Sequence, residues 1–410
     1  MTFQPINLIN VSYYRGNSPL LMGRLALKDR KIYFEYAPSF IELGLELSPI
    51  KLPLKPGIIA CNDYIFDGLF GVFNDSLPDG WGRLLLDRKL IKTGINPNKL
   101  SALDRLMHVG KNGMGALYYE PALEDNIKTI NLENLDTIAD ECLCFEESDD
   151  EFIDELLAMN GSSAGARPKL LINLIPQKND LQITKNNFKN PHDDWIIKFR
   201  SSLDPKDIGA IEYAYHLMAL EAKLEVPEAR LFKSKKCEGY FGVKRFDHID
   251  SGFVHMHTLS GLLHTDHRIP AFDYKTLLEV TLFLTKNIQE CEKQFRHATF
   301  NVLAHNRDDH TKNFSFLMDS DGIWKVSPTY DLTYSSGPAG EHCTTVMGEG
   351  KNPGIKYLLQ LASAVNIKEK NAKKIIDEVR QAILKWPKLA EKARVGIRSL
   401  KNIQSNLNKA

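Results

Sequence analysis

The chain has 410 residues, too many for one minimal core, so two or three packed units are expected. Lys plus Arg and Asp plus Glu each total 52, so no net field draws the chain to nucleic acid or to an anionic membrane. No apolar run approaches the ~20 residues of a membrane span, which leaves the soluble globular class.

The N-terminus, "MTFQPINLIN", lacks the basic-then-apolar order of a signal peptide. Cys61, Cys142, Cys144, Cys237, Cys291 and Cys343 fit neither a zinc spacing nor a CxxC pair. They read as reduced thiols, and the expected location is the cytoplasm. In chain order, residues 1–60 read as short strands, with "KIYFEY" (31–36) alternating apolar and polar. A helix is expected from "SLPDGWGRLLLDRKLI", with Ser76 as its cap and Pro78 early enough to be tolerated. A second helix, "SALDRLMHV", ends before the glycine-rich "GKNGMGALYY". Residues 1–125 thus form an α/β unit, and the acidic stretch 126–150 reads as a linker, with a helix at "DEFIDELLAMN".

"ARPKLLINLI" (166–175) and "DDWIIKFR" (193–200) read as strands, and "IGAIEYAYHLMALEAKL" (208–224) as a helix. Two strand-like runs follow in "EARLFKSKKCEGYFGVKRF". From about 274 the chain is helix after helix, apart from a polar stretch at 305–352. The class is α+β, with unit boundaries expected at 151–248 and 249–410.

That polar stretch opens with "AHNRDDHTKNFSF" (304–316). Phosphoryl transfer requires positioning, magnesium to neutralise phosphates, and a carboxylate beside the attacking hydroxyl. In protein kinases that carboxylate is an Asp, with a metal-binding Asn five residues later. Asp308 and Asn313 have this spacing, and Asp331 in "SPTYDLTYS" supplies a second acidic ligand. Alone, D-x-x-x-x-N is a weak motif. "GSSAGARPK" (161–169) is small enough to bring backbone N–H groups to phosphate oxygens, although no Walker A pattern can be laid on it. Lys198 sits in the apolar "WIIKF", where an unpaired ammonium is costly; a bound phosphate explains it, and so does snorkelling to water. A metal-dependent phosphohydrolase built on His305, Asp308, Asp309 and His310 is the rival enzyme. Its expected His-Asp pair on a helix is missing, because His192–Asp193 follows Pro191 and enters a strand.

Together "GVFNDSLPDGWGR", "HVGKNGMGAL", "SSAGARPK", "WIIKF", "KRFDH", "HNRDDHTKNFSF" and "SPTYDLTYS" resemble, in order, the HipA toxin kinases of bacterial toxin–antitoxin systems. The resemblance implies a two-lobed, protein-kinase-like fold. Its parts are an N-terminal α/β subdomain, an N-lobe at 151–248 with the phosphate loop, and a mostly helical C-lobe at 249–410. It implies a serine/threonine protein kinase dependent on ATP and Mg2+. Asp308 is then the catalytic aspartate, supported by His310 and Lys312, with Asn313 and Asp331 as magnesium ligands. Ser162, Ser163, Ala164, Gly165, Ala166 and Lys198, together with Asp331, hold the ATP phosphates, while Lys244, Arg245 and Phe246 line the adenine hinge. Ser162, or alternatively Ser163, matches the serine autophosphorylated as an off-switch. Arg167 departs from the Gln of many relatives. Glu212 pairs with Lys198 or faces solvent, Asp309 is a supporting residue, and Asp79 and Trp81 serve a turn and packing. Implied partners are a helix-turn-helix (HipB-like) antitoxin, with DNA reached only through it, and a protein substrate such as an aminoacyl-tRNA synthetase. A secreted effector kinase and a catalytically weak corepressor are the alternatives.

Overall fold

The computed structural model describes residues 5–16, 18–122, 135–144, 156–157, 165–173, 194–250 and 252–408. The chain divides into two compact units. One comprises Met1–Leu203, Lys244–Thr265 and Leu317–Ile323; the other comprises Asp204–Val243, Asp266–Phe316 and Trp324–Ala410.

The first unit is built on an antiparallel sheet of five strands. These are β1 (Leu8–Arg15), β2 (Ser18–Lys28), β3 (Lys31–Tyr36), β4 (Ile58–Ala60) and β5 (Leu117–Glu120), in spatial order β4-β3-β2-β1-β5. Alternation places Ile9, Val11 and Tyr13 of β1 and Ile32, Phe34 and Tyr36 of β3 in the core. Phe34 meets Phe73 at 5.0 Å between ring centroids, which packs the "GVFN" turn under the sheet. The helix Ala102–Val109 begins with a capping box: Ser101 Oγ accepts from the Asp104 amide, and the Asp104 carboxylate accepts from the Ser101 amide.

The helix expected from Ser76 starts later. It spans Gly80–Lys92 with Asp79 at its N-cap, and Gly80 takes a φ of 43°, a turn that delays the helix beyond Pro78. Ser76 instead hydrogen-bonds the buried Tyr119 hydroxyl at 2.7 Å. The acidic stretch carries a helix at Leu135–Leu143 that its charge conceals, whereas most of "DEFIDELLAMN" lies outside the described residues.

Asp75 of the same "GVFNDS" segment accepts from the Thr258 amide and hydroxyl, each at 2.7 Å, and from His257 Nδ1 at 2.6 Å. His257 Nε2 lies 3.0 Å from Ser48 Oγ. The order Ser48–His257–Asp75 is that of a hydrolytic triad. Ser48 is only 1% exposed, so no substrate can reach its hydroxyl. The trio is a buried bracket that fastens three distant segments.

In the second unit, Ile208–Glu221 is mostly buried and is followed by the hairpin Ala229–Phe232 with Tyr240–Lys244. The Ile288–Leu303 helix packs against Tyr274–Thr285 and Glu369–Ile383. Asn287 caps it by accepting from the Gln289 amide at 2.9 Å. Tyr215 packs edge-on against Trp386 and donates its hydroxyl to the Ala304 carbonyl at 2.7 Å. This bond fixes the end of the Ile288–Leu303 helix, where the polar segment begins.

Candidate active site

The segment after Ala304 leaves the helix through His305, whose φ is 52°. Asn306 is buried and donates its side-chain amide to Asn301 Oδ1 at 2.9 Å. The two aspartates that follow differ sharply in exposure. Asp308 is exposed, and Asp309 is 1% exposed. The Asp309 carboxylate accepts from the Tyr274 hydroxyl and His342 Nδ1, each at 2.8 Å, and from the amides of Cys343 at 2.8 Å and Thr344 at 3.2 Å. The Thr344 hydroxyl closes the network on the Asp309 carbonyl. Burial, then Asp309 and Asp308, push the Cys343 thiol up to about 12, so it stays protonated and unreactive at neutral pH. Burial likewise holds His297, packed on Phe314, near a pKa of about 4 and therefore neutral.

A single 3-10 turn, Thr311–Asn313, carries the rest. The Asn313 side-chain amide donates to the Asp308 carbonyl at 2.8 Å, which turns its Oδ1 away from that bond. Lys312 is buried, and its carbonyl accepts from the Tyr330 hydroxyl at 2.6 Å; the same hydroxyl lies 2.6 Å from Ser315 Oγ. Asp331, the next residue, is half-buried with a φ of 59°, a conformation that costs energy for a residue with a Cβ. Beyond it, the Ser335 amide donates to the His305 carbonyl at 3.0 Å. Asp331 is thus bracketed on both sides by bonds to the Asp308 segment. His310 stacks edge-on to His267, and its buried Nδ1 has no hydrogen-bond partner among the described residues.

The other predicted residues lie in the first unit. Strands Lys169–Asn173 and Asp194–Lys198 pair antiparallel with Lys169 directly opposite Lys198. Trp195, Ile197 and Phe199 fill the core, while Lys198 on the alternate face is half-buried. Directly opposed residues of an antiparallel pair share a face, so Lys169 and Lys198 set two cations side by side. Gly165 and Ala166 lead into the hairpin, and a Cβ on Gly165 would strike the Lys169 ammonium. Ser162, Ser163 and Ala164 lie outside the described residues.

Lys244 ends its strand half-buried, and Phe246 is half-buried. Arg245 is buried, and its Nε and Nη2 bond both oxygens of Asp247, at 3.0 and 2.6 Å. Burial alone would raise the Asp247 carboxyl, but Arg245, His248 and the Gly115 amide outweigh it and hold the carboxyl well below the usual range. Gly115 donates its amide to Asp247 at 2.7 Å, and Arg245 donates its main-chain amide to the Asp194 carbonyl at 2.8 Å. Asp194 in turn accepts from His248 Nδ1 at 2.7 Å.

Sequence reasoning misses Tyr330, His342, Asp247 and Lys169 as builders of this geometry, whereas Asp309, expected as a supporting residue, is one. "KRFDH" carries a signal, since an Arg and an Asp two residues apart can pair with each other. For His342 no local pattern exists.

A mixed α/β chain with a small antiparallel hairpin in one unit and a helical region carrying an Asp/Asn turn in the other is of the α+β, two-lobed, kinase-like class. The chain belongs to the HipA family: the HipA N-terminal domain matches residues 17–120, and the HipA-like C-terminal domain matches residues 161–386. Among solved structures it is similar to HipA of Shewanella oneidensis MR-1, determined with HipB and its operator DNA. That match has 16% identity over 98% of this chain and 95% of that one, with a TM-score of 0.65, which shows a common fold. The proinflammatory kinase CtkA of Helicobacter pylori matches at 13% identity and a TM-score of 0.33, over 60% of this chain and 93% of that one. Among the described residues, no helix is long and apolar enough to cross a membrane.

Proposed function

We propose that this chain is a magnesium- and ATP-dependent serine/threonine protein kinase, the toxin of a HipA-type toxin–antitoxin pair that acts in the cytoplasm. One observation carries the reading: a deeply buried, four-fold hydrogen-bonded Asp309 holds its neighbour Asp308 exposed, on a turn to which Asp331 is tethered. Asp308 is the base that takes the substrate hydroxyl's proton. The turn fits a magnesium ion, because Asn313 spends its nitrogen on the Asp308 carbonyl and leaves its oxygen, with the Asp331 carboxylate, as hard ligands. Magnesium, when bound, neutralises phosphate charge there. Lys312 and His310 support the transferring group, and the unpartnered His310 Nδ1 suits a ligand hydrogen bond. The rival use of Asp309 as a metal ligand conflicts with its four protein donors.

Lys198, with Lys169 beside it, and the loop residues Ser162 to Ala166 hold the ATP phosphates. Lys244 to Phe246 serve adenine through the main chain, since the Arg245 guanidinium is committed to Asp247. The kinase N-lobe is then 151–248, the C-lobe 249–410, and 1–125 the appended subdomain. Ser162, or Ser163, takes phosphate as an off-switch, adding roughly −1.5 to −2 charges where ATP's own anionic tail binds. The relative solved with HipB and operator DNA supports a HipB-like antitoxin, and the balanced charge of this chain supports DNA contact through that partner. A reactive Ser or Thr of an aminoacyl-tRNA synthetase is the proposed target. Calorimetry should show ATP binding that requires magnesium. Labelled ATP should place phosphate in the 161–169 peptide of the wild type and none in Ser162→Ala. An active enzyme that leaves this peptide unmodified refutes the switch, and absence of both binding and transfer refutes the kinase reading.

A further inference from the structure

Asp79 stands at the N-cap of the Gly80–Lys92 helix, yet its side chain makes no capping bond. An Asp there ordinarily accepts from the helix's own second or third amide. The Asp79 carboxylate instead accepts from the main-chain amide of Gly165, more than eighty residues away. The Trp81 amide, one of the helix's open donors, completes the pair by donating to the Gly165 carbonyl at 3.1 Å. Both polar groups of the Gly165 main chain are therefore taken by one turn of the N-terminal domain. Gly80 makes the approach possible: a Cβ there would lie 2.6 Å from the Gly165 carbonyl oxygen and 2.8 Å from Ala166 Cα. Gly165 itself has a φ of 110°, open to glycine alone, and the Lys169 ammonium lies against its far side.

We propose that Asp79 is a positioning residue, and that the Asp79–Gly80–Trp81 turn is a clasp holding the root of the glycine-rich loop in its nucleotide-binding place. This rests on the kinase reading above, because only a nucleotide site gives the loop's position a function. The chemistry favours a clasp behind the loop over a competitor for the nucleotide. The Gly165 amide already has an anionic acceptor, so phosphate oxygens must be met by other donors of the loop and by the lysines. A clasp of this kind acts through the fraction of molecules in which the loop is in place, and apparent affinity falls in proportion to that fraction. Chemistry on the correctly seated nucleotide is untouched.

Asp79→Ser separates the clasp from simple helix capping, because serine caps a helix as well as aspartate but is too short to hold Gly165. In nucleotide-free protein, amide exchange at 165–167 is expected to rise about tenfold, the worth of a charge-assisted bond. The KM for ATP should rise by about the same factor, with kcat at saturating ATP within about twofold and the melting temperature nearly unchanged. Asp79→Asn keeps a neutral acceptor of the same shape and should fall between the two, near threefold in exchange and KM; it carries the test should Asp79→Ser not fold. Unchanged exchange at 165–167 in these variants overturns the clasp, as does a loss of kcat with KM preserved. The exchange readout uses no nucleotide. A wild type that binds no magnesium–ATP therefore defeats the kinase reading, and exchange alone then decides the clasp.

Discussion

The Asp308–Asn313 segment and the Lys169–Lys198 hairpin are each held within their own unit, but by differently placed parts of the sequence. Residues 305–315 are fixed from within their own unit: Tyr274 and His342 grip Asp309, Asn301 grips Asn306, and Tyr330 grips the Lys312 carbonyl. The Gly165 and Arg245 segments rely on residues of the HipA N-terminal domain. Asp79 and Trp81 hold Gly165, while Gly113 and Gly115 hold Arg245 and Asp247. On the proposed kinase reading, a pre-set base and separately supported nucleotide elements would let affinity change without rebuilding the chemistry. On that reading the N-terminal domain would take a physical part in nucleotide binding.

The comparison is tested most severely at the adjacent aspartates. Asp308→Asn should lower phosphate transfer by about a thousandfold or more, with an unaltered melting temperature, since an exposed amide disturbs no packing and accepts no proton. Asp308→Asn protein that transfers phosphate at the wild-type rate removes the catalytic assignment. On the nucleotide side the largest effect is on stability. Arg245→Met leaves Asp247 buried without its cation and should cost about 3–5 kcal/mol, read by urea denaturation. Adding Asp247→Leu should recover much of that loss, because the penalty belongs to the stranded charge. A double variant as unstable as the single one would mean that packing, not charge, sets the cost.

What the sequence made legible follows the same division. Asp308, Asn313 and Asp331 stand out because kinase chemistry fixes residue type and spacing along the chain, and their segments do come together. The helices 208–221 and 274–303 and the paired strands around Lys198 were readable from period and β-branched runs. Their supporting bonds were not. Asp309 draws its partners from 274 and 342–344, and Asp247 accepts from Gly115 as well as from its neighbour Arg245; the distant separations are ones no local pattern encodes. Asp79 reads as a turn residue, and only the fold reveals that its carboxylate is spent on Gly165. The expected start at Ser76 failed because Gly80's left-handed turn, which makes room for Gly165, outweighs the capping preference of a serine.

Buried histidines give a pH test. Burial lowers His297 to about 4, as it does His216, and His255 to about 3. Their folded values lie below the unfolded one near 6.5, so the unfolded state binds more protons as pH falls. Stability is therefore full above about pH 6.5 and is lost progressively down to about pH 4. His297 alone accounts for about 3 kcal/mol over that window, at ~1.4 kcal/mol per unit. His297→Phe, which keeps a ring against Phe314, should flatten the profile by that share. Denaturation at pH 7 and pH 4.5 measures it, and a slope unchanged in the variant would show that His297 is already protonated in the fold.

Tyr330 gives the smallest effect and the finest distinction. Its hydroxyl bonds the Lys312 carbonyl and Ser315 Oγ, and Asp331 follows it directly in a strained left-handed conformation. Tyr330→Phe keeps the ring and removes only those bonds, so stability should fall by about 1 kcal/mol. The carboxylate of Asp331 would lose one of its two brackets while Ser335 keeps the other. The expected consequence is a several-fold rise in the magnesium concentration that half-saturates activity, with transfer at saturating magnesium reduced less. Titrating magnesium at fixed ATP reads both quantities. A fall in maximal transfer with unchanged magnesium dependence would place Tyr330 behind Asp308 rather than behind Asp331. The bracket would then belong to the catalytic base and not to the metal.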